Sequence, residues 1–230
     1  MKTTKRFLSF AVACIVICTS FITAFANNNI HYGPSEIVDF DEIETTKKGD
    51  KYIEAGKALR QSRATTSKYL TISKYYQKGQ TWSGDTMYTR GVSIGDAGCG
   101  VCSLAMIFRN SNIFQDPGQL NSKIGDAACP LKYNAAGRPY LMAVYANKEI
   151  LNGQNDEAVS YILGSISDNK PVLVYMTDGT YTHYVAAYGY TSANVIAIND
   201  PEPNWNYTTL NTYLDKGWQI TRVVTYLKTN

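Results

Sequence analysis

The hydrophobic period of this chain changes once, from helical spacing to strand-like runs, and this change constrains the fold most. Apolar residues recur at i, i+3, i+4 and i+7 over 101–108 and again over 159–166, as in buried helix faces. Asp116-Pro117 marks the start of a short helix between them. Strands are predicted at 172–176, 182–190, 194–199 and 220–227, with a short helix over 208–214. Helices that precede strands indicate an α+β fold with a mostly antiparallel sheet.

The N-terminal segment has the composition of a secretory signal. A basic start is followed by an apolar run over 7–22 and by Ala24-Phe25-Ala26, the small-x-small pattern that signal peptidase cleaves. We expect cleavage after Ala26 and a secreted or periplasmic protein without stable membrane insertion. The signal removes three of the 22 basic residues and no acidic one, so 19 basic and 19 acidic residues remain. A neutral chain without a basic run excludes nucleic acid as an expected partner.

Residues 27–68 differ in composition from the rest of the chain. They include an acidic stretch over 36–44 without a clear apolar face, and they end in a polar linker. A short polar helix is expected over 51–61. Two interpretations stay open: a solvated leader, or a propeptide that covers a site until it is removed. The globular pattern follows, so we expect one folded domain over 69–230.

The chain has two histidines, and they lie in very different surroundings. His31 is in the charged leader, whereas His183 opens the predicted strand over 182–190. If the next loop centres on 191–192, His183 stands opposite Asp200 in a hairpin, with Cβ atoms about 4.5–5.5 Å apart. A carboxylate at that position can orient the imidazole, and one bulge in the hairpin would shift the pairing.

Two further residues have the chemistry of a nucleophilic site. Cys99 lies between two glycines at the start of the first buried helix, where the positive end of the helix dipole stabilises a thiolate. A nearby imidazole would complete a thiolate–imidazolium pair. Gln77 stands in a polar segment five residues before Trp82, and its side-chain amide can donate a hydrogen bond to a developing oxyanion.

Five motifs follow one another in a fixed order between residues 76 and 201. They are Tyr-Gln-x4-Trp, Gly-Cys-Gly-Val-Cys-Ser-Leu-Ala-Met, Lys-Pro-Val-Leu-Val, His-Tyr-Val-x3-Gly-Tyr and Asn-Asp-Pro. In this order the chain resembles the papain-fold cysteine peptidases related to the bacteriocin leader-processing (double-glycine) peptidases, and most of all their stand-alone secreted relatives. The resemblance covers about residues 69–228. Each motif is weak alone, and the specificity comes from their order.

The resemblance implies a papain-like α+β fold in which the nucleophile helix packs on the sheet. It implies that Cys99 is the nucleophile, that His183 is the general base and acid, and that Asp200, an Asn in papain itself, orients His183. Gln77 matches the oxyanion-hole glutamine. Such an enzyme hydrolyses a peptide or protein substrate without a metal or other cofactor. We expect it to act as a monomer.

Several questions stay open from the sequence. In papain the catalytic thiol aligns with Cys102, but the apolar face of the helix begins just after Cys99 and favours Cys99. Cys102 and Cys129 either form a disulfide or remain buried thiols. The Cys-x-x-Cys pattern at 99–102 also occurs in thiol–disulfide oxidoreductases, although no strand is predicted directly before it. Three further functions fit the same residues: an inactive papain-like fold that serves as an extracellular binding module, a cell-wall amidase or endopeptidase, and a transglutaminase.

Overall fold

The computed structural model of the chain describes residues 42–62, 66–87 and 90–229. The predicted signal sequence, the leader up to residue 41 and His31 lie outside the described residues. The helices are α1 (Glu42–Gln61), α2 (Ile94–Ala97), α3 (Cys99–Phe108), α4 (Pro117–Ile124), α5 (Tyr133–Gly137), α6 (Asn155–Ser167) and α7 (Asn211–Leu214). The strands are β1 (Lys68–Tyr69), β2 (Thr86–Met87), β3 (Val92–Ser93), β4 (Met142–Glu149), β5 (Val172–Thr177), β6 (Thr182–Tyr190), β7 (Ile196–Asn199) and β8 (Gln219–Lys228).

Six of the strands form one sheet in which each pair of neighbours is antiparallel. The order across the sheet is β1-β6-β5-β8-β4, and β7 also pairs with β6. Strands β2 and β3 form a separate ribbon just before α2. The predicted α+β class with a mostly antiparallel sheet is therefore confirmed.

Strand β6 contributes to two apolar clusters because its side chains alternate between the faces of the sheet. Tyr184 and Ala186 belong to the cluster of α3, a helix in which all residues are buried. Val185 and Ala187 belong to the cluster of α6. Each large apolar side chain that is fully buried in these clusters stabilises the fold by roughly 1.5–3 kcal/mol. The helix that begins at Cys99 thus packs directly on the strand that carries His183.

Helix α1 is longer than the helix expected over 51–61, and it packs closely on α6 and β4. Its glycines make this approach possible, because a Cβ at Gly56 would overlap the carbonyl oxygen of Ser160. The Tyr52 hydroxyl, largely buried, donates to Asp168 Oδ2 at 2.9 Å. The sequence of α1 shows no wide apolar stripe, since backbone atoms and small residues make much of its contact with α6 and β4. Whether any part of 27–68 is removed stays a prediction.

Several element boundaries follow the sequence signals, and others depart from them. Asp116 caps α4 in a capping box with Gln119, as the Asp-Pro pair predicts. The N-cap of α6 is Gln154, and Asn155 is the first residue of the helix. The Asn155 side chain donates to Trp218 O and accepts from Ile220 N, which ties the helix to β8. Within the described part of the chain, no helix is long and apolar enough to cross a membrane.

Candidate active site

Cys99 is the first residue of α3, and a tight junction with α2 fixes its position. Ser93 caps α2 by accepting a hydrogen bond from Asp96 N. Gly98 joins the two helices, and a Cβ there would overlap the Ile94 carbonyl oxygen. A Cβ at Gly100 would lie 3.3 Å from the Tyr184 ring, so the first turn of α3 sits close against β6. Cys99 therefore lies in the first turn of α3, the position that the sequence predicts for it.

All three cysteines of the described chain are free and buried, so Cys102 and Cys129 do not form a disulfide. They are two buried thiols, the second of the two possibilities that their sequence positions allow. Burial raises the pKa of Cys102 well above its ordinary value, and burial also raises the pKa of Cys129. A thiol that resists deprotonation is a poor nucleophile. The chemistry therefore favours Cys99 over Cys102 as the reactive thiol.

His183 and Asp200 meet in a buried hydrogen bond, with His183 Nε2 2.8 Å from Asp200 Oδ1. An ionised carboxylate only accepts hydrogen bonds, so Nε2 carries the proton. The other ring nitrogen, Nδ1, is buried and has no hydrogen-bond partner among the described residues. The imidazole is thus fixed at one nitrogen and available at the other.

The predicted pairing of His183 directly opposite Asp200 is wrong, although the two side chains do meet. Tyr190 pairs with Ile196, so the loop between β6 and β7 is longer than expected, and a β-bulge lies between Ala187 and Gly189. Asp200 comes directly after β7, two positions away from the predicted register. From there its side chain reaches the His183 ring, so contact does not require a direct cross-strand pair.

The Asp200 carboxylate accepts four hydrogen bonds. Besides His183, Glu202 N donates to Oδ1 at 2.9 Å. Oδ2 accepts from the Tyr213 hydroxyl at 2.6 Å and from Tyr207 N at 3.3 Å. Burial alone raises the pKa of Asp200, but the hydrogen bond and charge of His183 outweigh it, with smaller contributions from Tyr213 and Glu202 N. The pKa is therefore lowered and the carboxylate is ionised at neutral pH.

The protonated form of His183 is favoured despite its burial. Burial lowers the pKa of an imidazole, but the hydrogen bond and charge of Asp200, together with the interaction with Cys99, outweigh it and raise the pKa of His183 to about 9. Since Asp200 occupies Nε2, Nδ1 is the nitrogen left to face the thiol. An imidazolium beside a thiol at a helix N-terminus is the arrangement that activates a cysteine for attack.

An aromatic shell surrounds the His183 ring. Trp205 lies edge-on to it with ring centroids 5.1 Å apart, and the centroids of Tyr213 and Trp218 lie at 5.7 and 6.4 Å. These rings keep water away from the His183–Asp200 hydrogen bond, which strengthens it. Sequence reasoning placed none of the three beside His183, because no spacing motif links them to it.

Gln77 is fully buried between the segment after Asp200 and the helix before Cys99. Its backbone N–H donates to Pro201 O at 2.9 Å, and its Nε2 donates to Gly95 O at 3.2 Å. The next residue, Lys78, forms an ion pair of 2.8 Å with Glu202, whose side chain is buried. Gln77 and Lys78 therefore both bind the residues that directly follow Asp200. Sequence reasoning did not identify Glu202, since it matches no motif.

The structure brings the four predicted residues into one region. Cys99 contributes to the pKa of His183, and Asp200 binds the His183 ring. Gln77 donates to the carbonyl oxygens of Pro201, next to Asp200, and of Gly95, four residues before Cys99. The family model of the Peptidase_C39 like family matches residues 69–226, more than half of the chain. The chain belongs to the Peptidase_C39 like family. Its papain-like fold follows from this membership. A search of the curated proteins found no match.

No group of three or more histidine, cysteine or acidic side chains stands ready to hold a metal ion within the ranges that the structure describes. Membership of the Peptidase_C39 like family supports a cysteine peptidase-like fold.

Proposed function

We propose that the protein is an exported cysteine peptidase that hydrolyses peptide bonds by a Cys-His-Asp mechanism. One observation carries this proposal: His183 is held through Nε2 by Asp200 at 2.8 Å, while its Nδ1 is unpartnered and its pKa responds to Cys99. A buried ring nitrogen without a hydrogen-bond partner costs roughly 1–3 kcal/mol, so a histidine with a purely structural role normally has partners at both nitrogens. The unpaired Nδ1 of His183 near a thiol therefore favours a functional role.

Peptide hydrolysis then proceeds in two steps. The Cys99 thiolate attacks the carbonyl carbon, and the C–N bond breaks as the His183 imidazolium gives its proton to the leaving amine. His183, now neutral, takes a proton from water, whose oxygen attacks the acyl-enzyme. The tetrahedral intermediate collapses, the C–S bond breaks, and Cys99 leaves as thiolate beside the reprotonated imidazole. The products are one amine and one carboxylic acid.

The remaining residues stabilise charge and orientation. The backbone N–H of Cys99 and the side-chain amide of Gln77 are the proposed oxyanion donors, and Gln77 uses only one of its two Nε2 protons in its bond to Gly95 O. Asp200 holds the imidazole and its positive charge. The aromatic shell of Trp205, Tyr213 and Trp218 keeps that pair dry. Removing one oxyanion-hole donor typically slows turnover by about 10²–10³.

The cellular setting and the substrate are parts of the same proposal. The N-terminal signal pattern supports export, and the neutral charge of the remaining chain supports a peptide or protein substrate rather than nucleic acid. We propose that the enzyme works as a monomer without a cofactor.

The first test measures the alkylation rate of each cysteine by iodoacetamide against pH, with mass spectrometry as the readout. We expect Cys99 to react faster than Cys102 and Cys129 near neutral pH, and to lose this advantage in His183→Ala. Cys102 and Cys129 are internal controls, since they are buried with raised pKa values. Slow labelling of Cys99 that is indifferent to His183 would contradict the proposal.

The second test asks whether the protein cleaves peptides and whether this cleavage requires the Cys99 thiol. The native protein is incubated with a mixed peptide library, with Cys99→Ala as the matched blank, and new amino termini are identified by mass spectrometry. Cleavage that depends on Cys99 supports the peptidase. Release of cell-wall fragments or amine incorporation without peptide cleavage would instead support an amidase or a transglutaminase.

A binding module is the second candidate, and one observation favours it. Cys99 is 3% exposed and His183 is fully buried, so the reactive atoms have little contact with solvent in this structure. The two tests separate the candidates: an activated thiol with no turnover on any of these substrates supports the binding module.

A further inference from the structure

Tyr213 is a second polar contact of the orienting carboxylate, and the resemblance to papain-fold peptidases assigns it no role. It lies on α7, in the connection between β7 and β8, and its side chain is fully buried. Its hydroxyl donates to Asp200 Oδ2 at 2.6 Å, shorter than the 2.8 Å between His183 and Oδ1. Hydroxyl-to-carboxylate bonds of this length are among the strong charge-assisted hydrogen bonds.

The two oxygens of Asp200 are divided between different tasks. Oδ1 binds His183, whereas Oδ2 depends on Tyr213 and on the longer contact from Tyr207 N at 3.3 Å. Each donor on Oδ2 withdraws negative charge from the carboxylate and so weakens its hold on the imidazolium. The Tyr213 hydroxyl is the stronger of the two donors by distance.

The ring of Tyr213 is fixed, so the hydroxyl has a defined direction. It packs edge-on against Tyr207, Trp218 and Trp205, with centroids 4.9, 5.2 and 6.1 Å away. It also lies beside His183, at 5.7 Å between centroids. A phenylalanine would keep these ring contacts and lose only the hydrogen bond, which makes the role of the hydroxyl separable from packing.

We propose that Tyr213 is a positioning residue that holds Asp200 in place and limits how strongly Asp200 retains the His183 imidazolium. The inference rests on the proposed function for its catalytic meaning, because a general acid must release its proton to the leaving amine. Without the hydroxyl, Asp200 becomes the stronger partner of His183, and the imidazole keeps its proton to higher pH.

The titratable groups that face this network come from three parts of the fold. Cys99 on α3 acts on both His183 and Tyr213, and Asp200 follows β7. Tyr207 contacts Tyr213 from the segment that joins Asp200 to α7. Because Cys99 and His183 interact, their titrations are coupled, and the imidazole must be observed without the thiol to isolate the effect of Tyr213.

The test is an NMR titration of the His183 imidazole in the full chain that carries Cys99→Ala. The chain has two histidines, so His31→Gln assigns the signals. Adding Tyr213→Phe should raise the His183 pKa by about half a unit or more, a roughly threefold change in the protonation equilibrium. The matched control is Tyr161→Phe on α6, which removes a buried hydroxyl that donates to Thr225 Oγ1 at 3.0 Å. This control should leave the pKa unchanged.

An unchanged or lowered His183 pKa in the folded Tyr213→Phe protein would overturn the inference. If that variant does not fold, 3-fluorotyrosine placed at 213 keeps the shape and makes the hydroxyl a stronger donor, so the pKa should fall. A rise or no change in that protein would likewise overturn it. The readout needs no turnover, so a protein that cleaves no peptide can still show the shift, and failure of the proposed function is distinguished from failure of this inference.

Discussion

The His183–Asp200 pair makes the stability of the folded protein depend on pH. The pKa of His183 is about 9 in the folded protein, against about 6.5 for an imidazole in an unfolded chain. A raised pKa means that the folded state holds the proton more tightly, so the stabilisation is complete below about pH 6.5 and is lost as the pH rises to about 9. At about 1.36 kcal/mol per unit, the shift corresponds to about 3 kcal/mol of unfolding free energy.

Urea unfolding in the presence of a reductant, between about pH 6 and pH 9.5, measures this contribution. The perturbation is His183→Gln, which removes the titrating group. We expect the difference in unfolding free energy between the native protein and this variant to narrow by about 3 kcal/mol as the pH rises. Cys99 is a second cause of the raised pKa of His183. When both proteins also carry Cys99→Ser, the difference in unfolding free energy should therefore narrow by less as the pH rises. A difference that stays constant across the interval would refute the reasoning.

Three further predictions concern the supports of the site and of the fold. Gly56→Ala should lower the unfolding free energy by about 1–3 kcal/mol, because α1 has no room for a Cβ at this position. The control Gly84→Ala, where a Cβ meets open space, should change the unfolding free energy by less than about 0.5 kcal/mol. Urea unfolding midpoints with unchanged m values check both variants. Gln77→Ala should lower kcat by about 10²–10³ while the alkylation rate of Cys99 is retained, and equal loss of both would contradict an oxyanion role. Glu202→Gln should lower kcat roughly 10-fold or more, because it breaks the ion pair with Lys78 that positions Gln77. An unchanged kcat would show that this ion pair has no part in catalysis.

The strands of the second half could be predicted well from the sequence. Strand β6 runs from Thr182 to Tyr190, as predicted, because a turn signal precedes it and its residues have high strand propensity. Strand β5 begins at Val172 as predicted and extends one residue further, to Thr177. In both strands local propensity and tertiary burial favour the same conformation, and such segments are the easiest to read from sequence.

Strand β4 was missed because its period is broken. Its register against β8 shifts between Val144 and Ala146, so Tyr145 is an extra residue and the inward and outward positions change phase there. The predicted pairing of His183 opposite Asp200 was also wrong because of the register: a longer loop and a bulge in β6 both shift the pairing of β6 with β7. A single bulge changes the register of every later residue, and nothing in the local composition marks it.

The roles predicted for Cys99, His183, Asp200 and Gln77 stay predictions, although the structure brings their segments together. The residues that support them could not be found from the sequence. Tyr213 reaches Asp200 through tertiary packing, and it carries no motif of its own. Helix α1 was predicted only over 51–61, and its first half was missed for a related reason, since glycine contacts leave no apolar period to detect.

The groups that bind the imidazole and its carboxylate come from one short stretch of chain. Residues 200–213 supply Asp200, the N–H of Glu202, the Trp205 ring and the Tyr213 hydroxyl, whereas Cys99, the proposed nucleophile, lies on a helix about a hundred positions earlier. Asp200 and its hydrogen-bond donors other than His183 therefore lie in one continuous segment, whereas His183 itself lies on β6. Exchanging this stretch as a unit would retune the working pH of the protein while leaving the thiol and its helix as they are.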